Sequence, residues 1–349
     1  SLSNYSIDNG LALMSATCLA PLFNAIQLKT ASPMLLHTIY RITVNTIPDC
    51  SHNVLSSSSV KTGLPSDPQV GECVINEMLF DPKPGGYDYV EFYNNSNRIF
   101  DAARLHIASR NTLGNIGLPR VLSPSPYYIL PGEWLVVTED TISLARSYLL
   151  KDSTHVLQLP ALPSFPDDKG NITVLNTQGL PVDEVSYDAG WHFKMITDKE
   201  GISLERINPK EASQYAGNWH SAASTAGYGT PGYKNSQYNQ PVHSGATITV
   251  LPRLFSPDND GYNDIAVIGY EVEQPGFIVN IGIYDAAGRL VRTLVNNGLL
   301  GVSGYWNWDG LNDHGQKIPI GTYVVFAGMY NLQGKKYIFK TAITLTRKH

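Results

Sequence analysis

The sequence is poor in charge. Lys, Arg, Asp and Glu make up 16% of its 349 residues, against roughly a quarter in an average soluble protein. The net charge is −5, so there is no basic stripe to follow a phosphate backbone, and no nucleic-acid partner is expected. Long apolar runs are missing too. Nothing approaches the ~20 residues of a membrane span; the longest stretch, around Leu11–Ala16, is far shorter. No cationic start followed by an apolar core marks a signal peptide. Cysteine is scarce: Cys18, Cys50 and Cys73 allow at most one disulfide. The preferred pair is Cys18 with Cys50, which share the first segment; pairing with Cys73, or three free thiols, are the alternatives. The GxSxG elbow, the P-loop and the GxGxxG fingerprint are all absent, which removes the commonest enzyme signatures.

What the chain has is 30 Gly, 22 Pro and 20 Tyr within a 42% hydrophobic composition. Turn formers and aromatics with little charge suit short strands joined by many loops, and the length fits two or three domains. The predicted fold class is all-β, as tandem immunoglobulin-like β-sandwiches.

Three segments emerge. In residues 1–68, Thr38–Val44 alternates polar and apolar positions as a half-buried strand should, with a second strand around Leu28. Pro48–Asn53 reads as a turn, and the serine run Ser56–Ser59 followed by Gly63–Pro68 reads as linker. In residues 69–236, strands are predicted at Val74–Phe80, Tyr89–Tyr93 and Trp134–Thr138, with a hairpin across Thr177–Gly179. Asp140 caps the one expected helix, Thr141–Leu150. The polar stretch Asn235–Gly245 reads as a second linker. In residues 246–349, six strands between Thr247 and Thr346 alternate with turns, the rhythm of a sandwich.

The middle segment resembles a lamin-tail domain, an immunoglobulin-like module of many bacterial surface proteins. The residues that carry this are Val74-Ile75-Asn76-Glu77, Asp88–Asn94, Leu130–Thr138, Gly201–Arg206, Asn218–Ala222 and Thr230-Pro231-Gly232-Tyr233. The last segment resembles the immunoglobulin-like domain of the flagellar hook-capping family and the C-terminal domains of gliding-associated proteins. Its motifs are Phe255–Asp264, Tyr284–Arg289, Trp308–Gly315 and Ile320–Tyr323. Such domains end exported proteins of the Bacteroidota, where type IX secretion is common, so the resemblance implies export to the outer surface or beyond. The first segment is similar to the latter part of a bacterial immunoglobulin-like repeat. At about 65 residues it falls short of the ~100 of a full sandwich, so its opening strands are expected to come from elsewhere.

Four sets of residues invite a chemical reading. Asp258, Asp260 and Asp264, with the Tyr262 carbonyl and Gly261 between them, have the alternating oxygen donors of a short calcium loop. The acidic residue that would close an EF-hand is missing, Gly269 standing there, and an Asx-rich turn is the alternative. Trp191-His192 and Trp219-His220 suggest a sugar-stacking platform or a histidine metal pair, against plain core packing. Glu77 and Glu91 could form a carboxylate pair for glycoside hydrolysis, against the alternative that both are ordinary strand residues. Asn94-Asn95-Ser96 and Asn171-Ile172-Thr173 match the glycosylation sequon formally.

The expected function is a non-enzymatic secreted or cell-surface scaffold, structural or adhesive, with protein subunits as partners. It would assemble with other copies if a neighbouring strand completes the first module. The rival expectation is an accessory region of a larger secreted hydrolase.

Overall fold

The structure, a computed structural model, describes residues 1–48, 53–239 and 245–347. The all-β expectation holds. Strands dominate, and the single α-helix among the described residues is α1 (Thr141–Ser147).

The first region contains β1 (Tyr5–Ile7), β2 (Leu13–Cys18), β3 (Ile26–Thr30), β4 (Tyr40–Pro48) and β5 (Val54–Thr62). They form a three-stranded sheet in the order β1-β4-β5 and a separate β2-β3 hairpin. The serine run is strand rather than linker: Ser57, Ser58 and Ser59 lie opposite Asn45, Val44 and Thr43. Pairing against a β-branched partner strand outweighs the weak strand preference of serine. Hardly any core forms here. Among the described residues of this region only Leu11 and Tyr40 are buried hydrophobics, while Met14, Leu22, Phe23, Leu35 and Leu36 stand at least 60% exposed. Gly63 then lets the chain press onto the next region, because a Cβ there would lie 2.4 Å from Ile99 Cδ1 and 2.6 Å from the Thr38 carbonyl. Arg104 holds Asp67 at 2.9 Å beside it.

The second region runs through β6 (Cys73–Leu79), β7 (Tyr89–Asn94), β8 (Phe100–Asp101), β9 (His106–Ala108), β10 (Arg120–Val121), β11 (Tyr128–Ile129) and β12 (Trp134–Thr138). After α1 come β13 (Val156–Gln158), β14 (Lys169–Leu175), β15 (Pro181–Asp188), β16 (Leu204–Arg206) and β17 (Trp219–Ser221). A six-stranded sheet, β13-β12-β7-β6-β16-β17, faces a four-stranded one, β10-β9-β14-β15. Their inner faces share one core, with Ile75, Phe92, Leu135 and Leu204 from the first and Ile107, Ile172, Val174 and Val185 from the second.

Helix α1 lies outside the larger sheet, packing Leu144 and Tyr148 on Leu79, Tyr89 and Val136. Its cap is as expected: the Asp140 carboxylate accepts from the Ile142 and Ser143 amides at 2.8 and 3.0 Å. The helix ends at Ser147, not Leu150. Tyr148 turns extended to set its ring edge-on to Tyr89 and give its hydroxyl to the Gly201 carbonyl at 2.9 Å.

The third region holds β18 (Ala246–Leu251), β19 (Leu254–Phe255), β20 (Ala266–Val272), β21 (Phe277–Tyr284), β22 (Leu290–Leu299), β23 (Ser303–Trp308), β24 (Gly321–Asn331) and β25 (Lys336–Leu345). Two sheets, β18-β20-β23 and β19-β25-β24-β21-β22, close over Phe255, Ile268, Phe277, Trp308 and Val325. The second and third regions are joined by contact as well as by chain. Phe193 packs on Ile278 and Leu299, and Ser224 donates to the Leu299 carbonyl at 2.7 Å.

Candidate functional site

The acidic loop comes together as expected. Ligand oxygens of Asp258, Asp260 and Asp264 all lie within 4.8 Å of one another. Asp264 accepts from the amides of Asp258, Asn259 and Gly261 at 3.1, 2.6 and 2.8 Å, and Asp260 accepts from the Tyr262 amide at 2.9 Å. Gly261 takes a positive φ of 83° that suits glycine. Asx-type turns therefore hold the loop without help. Asp258 keeps one oxygen, Oδ2, buried and without a hydrogen-bond partner. The Tyr262 side chain points to solvent, 73% exposed. These carboxylates are hard oxygen donors of the kind calcium takes.

The tryptophans also meet, but not as an exposed platform. Trp191 and Trp219 stack with centroids 6.5 Å apart; Trp219 is a core residue, 3% exposed, with Trp191 packed against that core. The indole N–H of Trp219 goes to the Ser213 carbonyl at 2.8 Å. The histidines do not pair around a metal. His192 and His220 each turn a ring nitrogen to Ser221, at 2.9 Å to its hydroxyl and 3.0 Å to its carbonyl. Burial pushes the His192 pKa down to about 3, so the ring is neutral. The sequon asparagines Asn94 and Asn171 are buried. Cys18 is free and exposed and Cys73 free and buried; Cys50, the other half of the expected pair, lies outside the described residues.

The glutamates hold the unexpected chemistry. Strands β7, β6 and β16 are neighbours, and their register sets Glu91 opposite Glu77 and Glu77 opposite Glu205. Three carboxyl groups thus line up across one face, and all are 0% exposed. Like charges opposed on adjacent strands repel, and none of the ion pairs among the described residues involves them. Arg206, the nearest cation in sequence, points to the other face of the sheet and pairs with Asp183 at 3.3 Å.

The segment after Gly227 covers the row. Gly229 must be glycine, since a Cβ would sit 2.6 Å from the Tyr148 ring and 2.8 Å from the Tyr89 hydroxyl. The Thr230 amide donates to Glu77 at 2.8 Å and the Gly232 amide to Glu91 at 2.7 Å. Ser236 and the Gln237 amide each reach Glu205 at 2.8 Å. From within the sheet, Tyr89 and Ser203 donate to Glu77 at 2.6 and 2.5 Å. Asn76, at a bulge in β6, gives its amide protons to Glu91 and to Asn235, both at 2.7 Å. The start of the expected linker, Asn235 to Asn239, is therefore a strap laid on the sheet with Asn235 and Gln237 buried; residues 240–244 of that expected linker lie outside the described residues.

One contact fixes the proton count. The Thr230 hydroxyl lies 2.8 Å from Glu77 Oε2 and 2.9 Å from Glu205 Oε1. A hydroxyl has one proton to give and lone pairs to accept with. When it donates to one carboxyl, the other must donate to it, so the pair holds at least one proton of its own. Burial is the main cause that raises all three acids: Glu205 to about 8, Glu91 well above the carboxylate range, and Glu77 upward. Glu77 and Glu91 do not form a glycosidase pair. They face one another inside the structure, saturated by protein donors, where no sugar passes between them. In sequence these acids look like the solvent face of strands; only the three-strand register and the returning strap reveal the row.

Residues 249–345 match the family model of a type IX secretion signal domain, the CHU_C domain. The chain is thus marked for export to the cell surface or the extracellular space, in agreement with the expectation from its last segment. No helix among the described residues is long and apolar enough to cross a membrane. None of the curated proteins matches the chain significantly. Among solved structures, latent PorU from Porphyromonas gingivalis is similar at 12% identity and a TM-score of 0.23, over 99% of this chain and 29% of that one. PorZ, a surface component of the type IX secretion system of the same bacterium, is similar at 11% identity and 0.25, over 96% and 39%. A calcium-stabilised, ice-binding adhesin of an Antarctic bacterium is similar at 9% and 0.18, over 89% and 57%. This chain spans well under half the length of PorU or PorZ, and likenesses this loose carry no functional argument.

Proposed function

We propose that this chain is a non-enzymatic structural or adhesive part of the exported surface, assembled through the open first region. The observation that carries this reading is the contrast in completeness. The second and third regions each enclose a full core, whereas among the described residues of 1–62 the buried hydrophobics are Leu11 and Tyr40, and large apolar side chains stand uncovered. Strand β5 is the edge of its sheet, with no partner beyond it among the described residues. A nine-residue edge is a template for strand addition, and a strand that a neighbouring copy adds there lies beside the exposed Val54, Leu55 and Val60 of β5 itself. The middle region is read as a lamin-tail module, a rigid spacer on the motifs that resemble that family. The Asp258–Asp264 loop is read as a calcium site that stiffens the third region, with the unpartnered Asp258 Oδ2 and the Tyr262 carbonyl among its ligands.

Size-exclusion chromatography and negative-stain imaging of the protein from its native surface test the reading. Ordered fibres, abolished by Ser58→Pro in the middle of β5, are the expected result. A monodisperse particle whose first region is completed by its own polypeptide refutes it and favours the accessory region of a larger hydrolase.

A further inference from the structure

The outer face of the six-stranded sheet is covered in two places and open in a third. Helix α1 covers Tyr89 and Val136, and the strap covers the glutamates. Past Glu91 and Val136, β7 and β12 continue to Tyr93 and Trp134, directly opposed in register. Their rings lie 5.6 Å apart at 38° and are half-buried, outside the core clusters formed by the described residues. The strap passes alongside and adds Tyr238, over whose ring the Lys234 ammonium sits 4.4 Å from the centroid. Between these side chains and Pro209 is a cleft of about 260 Å³.

Its floor holds the decisive group. Asn76 lines the cleft and is 5% exposed. Both protons of its amide nitrogen are spent on Glu91 and Asn235, and those two acceptors fix which end of the amide is nitrogen. Its Oδ1 receives none of the hydrogen bonds shown by the structure and is the group left for the cleft. That oxygen is not among the buried acceptors left without a partner; it opens to the cleft, where a ligand hydroxyl can donate to it in place of water.

We propose that this cleft binds a pyranose residue of a polysaccharide and that Lys234 selects an acidic one. Flat aromatic walls with few polar groups are the make-up of a small-ligand site. They match the C–H face of a sugar ring, with Asn76 Oδ1 taking a hydroxyl proton and the rim ammonium taking a carboxylate. The other ligands of aromatic clefts fit less well. A quaternary ammonium would meet Lys234 already seated on the Tyr238 ring. A nucleic-acid strand would need a run of cations along its backbone, and the cleft offers one. The site is distinct from the Trp191–Trp219 pair, which the core takes up.

Calorimetric titration of the full chain with an oligogalacturonide and with a neutral cello-oligosaccharide of equal length tests this. The acidic oligomer should bind about tenfold more tightly. Lys234→Ala should abolish that preference, and Trp134→Ala or Tyr238→Ala should weaken both ligands by about tenfold or more. Trp191→Phe serves as the control and should leave both affinities unchanged. Absence of binding to either oligomer overturns the proposal, as does binding that survives both Trp134→Ala and Tyr238→Ala in proteins whose circular dichroism is native. Equal affinity for the two oligomers overturns the role given to Lys234.

Discussion

Replacing Glu205 by Gln is expected to make the middle region more stable at alkaline pH and to flatten its dependence on pH. In the folded protein the Glu205 carboxyl titrates near 8, against 4.5 when exposed. Its proton therefore stabilises the fold fully below pH 4.5, and that contribution drains away as the pH climbs to 8, where the buried group finally ionises. At ~1.4 kcal/mol per unit the whole span is worth on the order of 5 kcal/mol, a large share of the stability of an ordinary domain. Other titratable groups face the same site. Glu77 and Glu91 flank Glu205 in the row, Tyr89 and Tyr148 stand on the α1 side, and Tyr233 comes from the strap, its own pKa raised chiefly by burial and further by the three glutamates. The difference between wild type and variant isolates Glu205 from them. Glutamine imitates the protonated acid: its oxygen accepts from Ser236 and the Gln237 amide while its nitrogen donates to Thr230. Glu205→Ala instead strands all three partners and should cost about 2–4 kcal/mol at acidic pH, a cost that shrinks as the pH rises and the wild-type carboxyl loses its own contribution. The assay is urea denaturation from pH 5 to pH 9, followed by hydrogen exchange in peptides spanning 200–239, so that this region is read apart from its neighbours. If Glu205→Gln and wild type lose stability in parallel as the pH rises, the row holds no proton at Glu205 and the reasoning is wrong.

Three further outcomes are expected. Asp140→Ala removes two capping hydrogen bonds from α1 and should cost about 1 kcal/mol, seen as a lower urea midpoint for the middle region; no change would mean the helix is held by Leu144 and Tyr148 alone. Millimolar calcium should raise the melting temperature of the third region, and chelator should reverse the rise. Asp258→Asn should abolish the calcium response while sparing the loop's amide contacts to Asp264; an identical calcium response in the variant would count against the metal. Phe193→Ala opens the contact with Ile278 and Leu299 and should cost about 3 kcal/mol or more, detected as separate melting of the two regions where the wild type melts together.

Much of the fold is legible in the sequence because its strands announce themselves by composition. Trp134–Thr138 coincides with β12, and Phe277–Tyr284 with β21; both are runs of apolar and β-branched residues bounded by turn formers. Legibility fails where a residue's environment is set by distant chain. Ser56–Ser59 reads as linker from its own chemistry and becomes strand through β4. Asn235–Asn239 reads as solvated because it is polar, yet Asn235 and Gln237 are among the most buried polar side chains, since the carboxyl groups they serve sit far back in the sequence. Tyr93 and Trp134 each read as ordinary strand aromatics. Their pairing across β7 and β12, and the arrival of Tyr238 beside them, are facts of register and of the strap's path that no local pattern encodes.

That path has a mechanical consequence. Ser236 and Gln237 close the row of carboxyl groups on one side, and on the other they grip the third region: the Val302 amide donates to the Ser236 carbonyl at 2.9 Å, and Gln237 donates to the Leu300 carbonyl at 3.2 Å. A pull on the exported C-terminal domain reaches the buried acids through these same two residues. Under tension the strap would peel from Gln237 back toward Thr230, letting water in to one carboxyl after another. Each acid that ionises on being wetted makes re-closing harder, so the tether between these regions should yield at lower force as its surroundings turn alkaline.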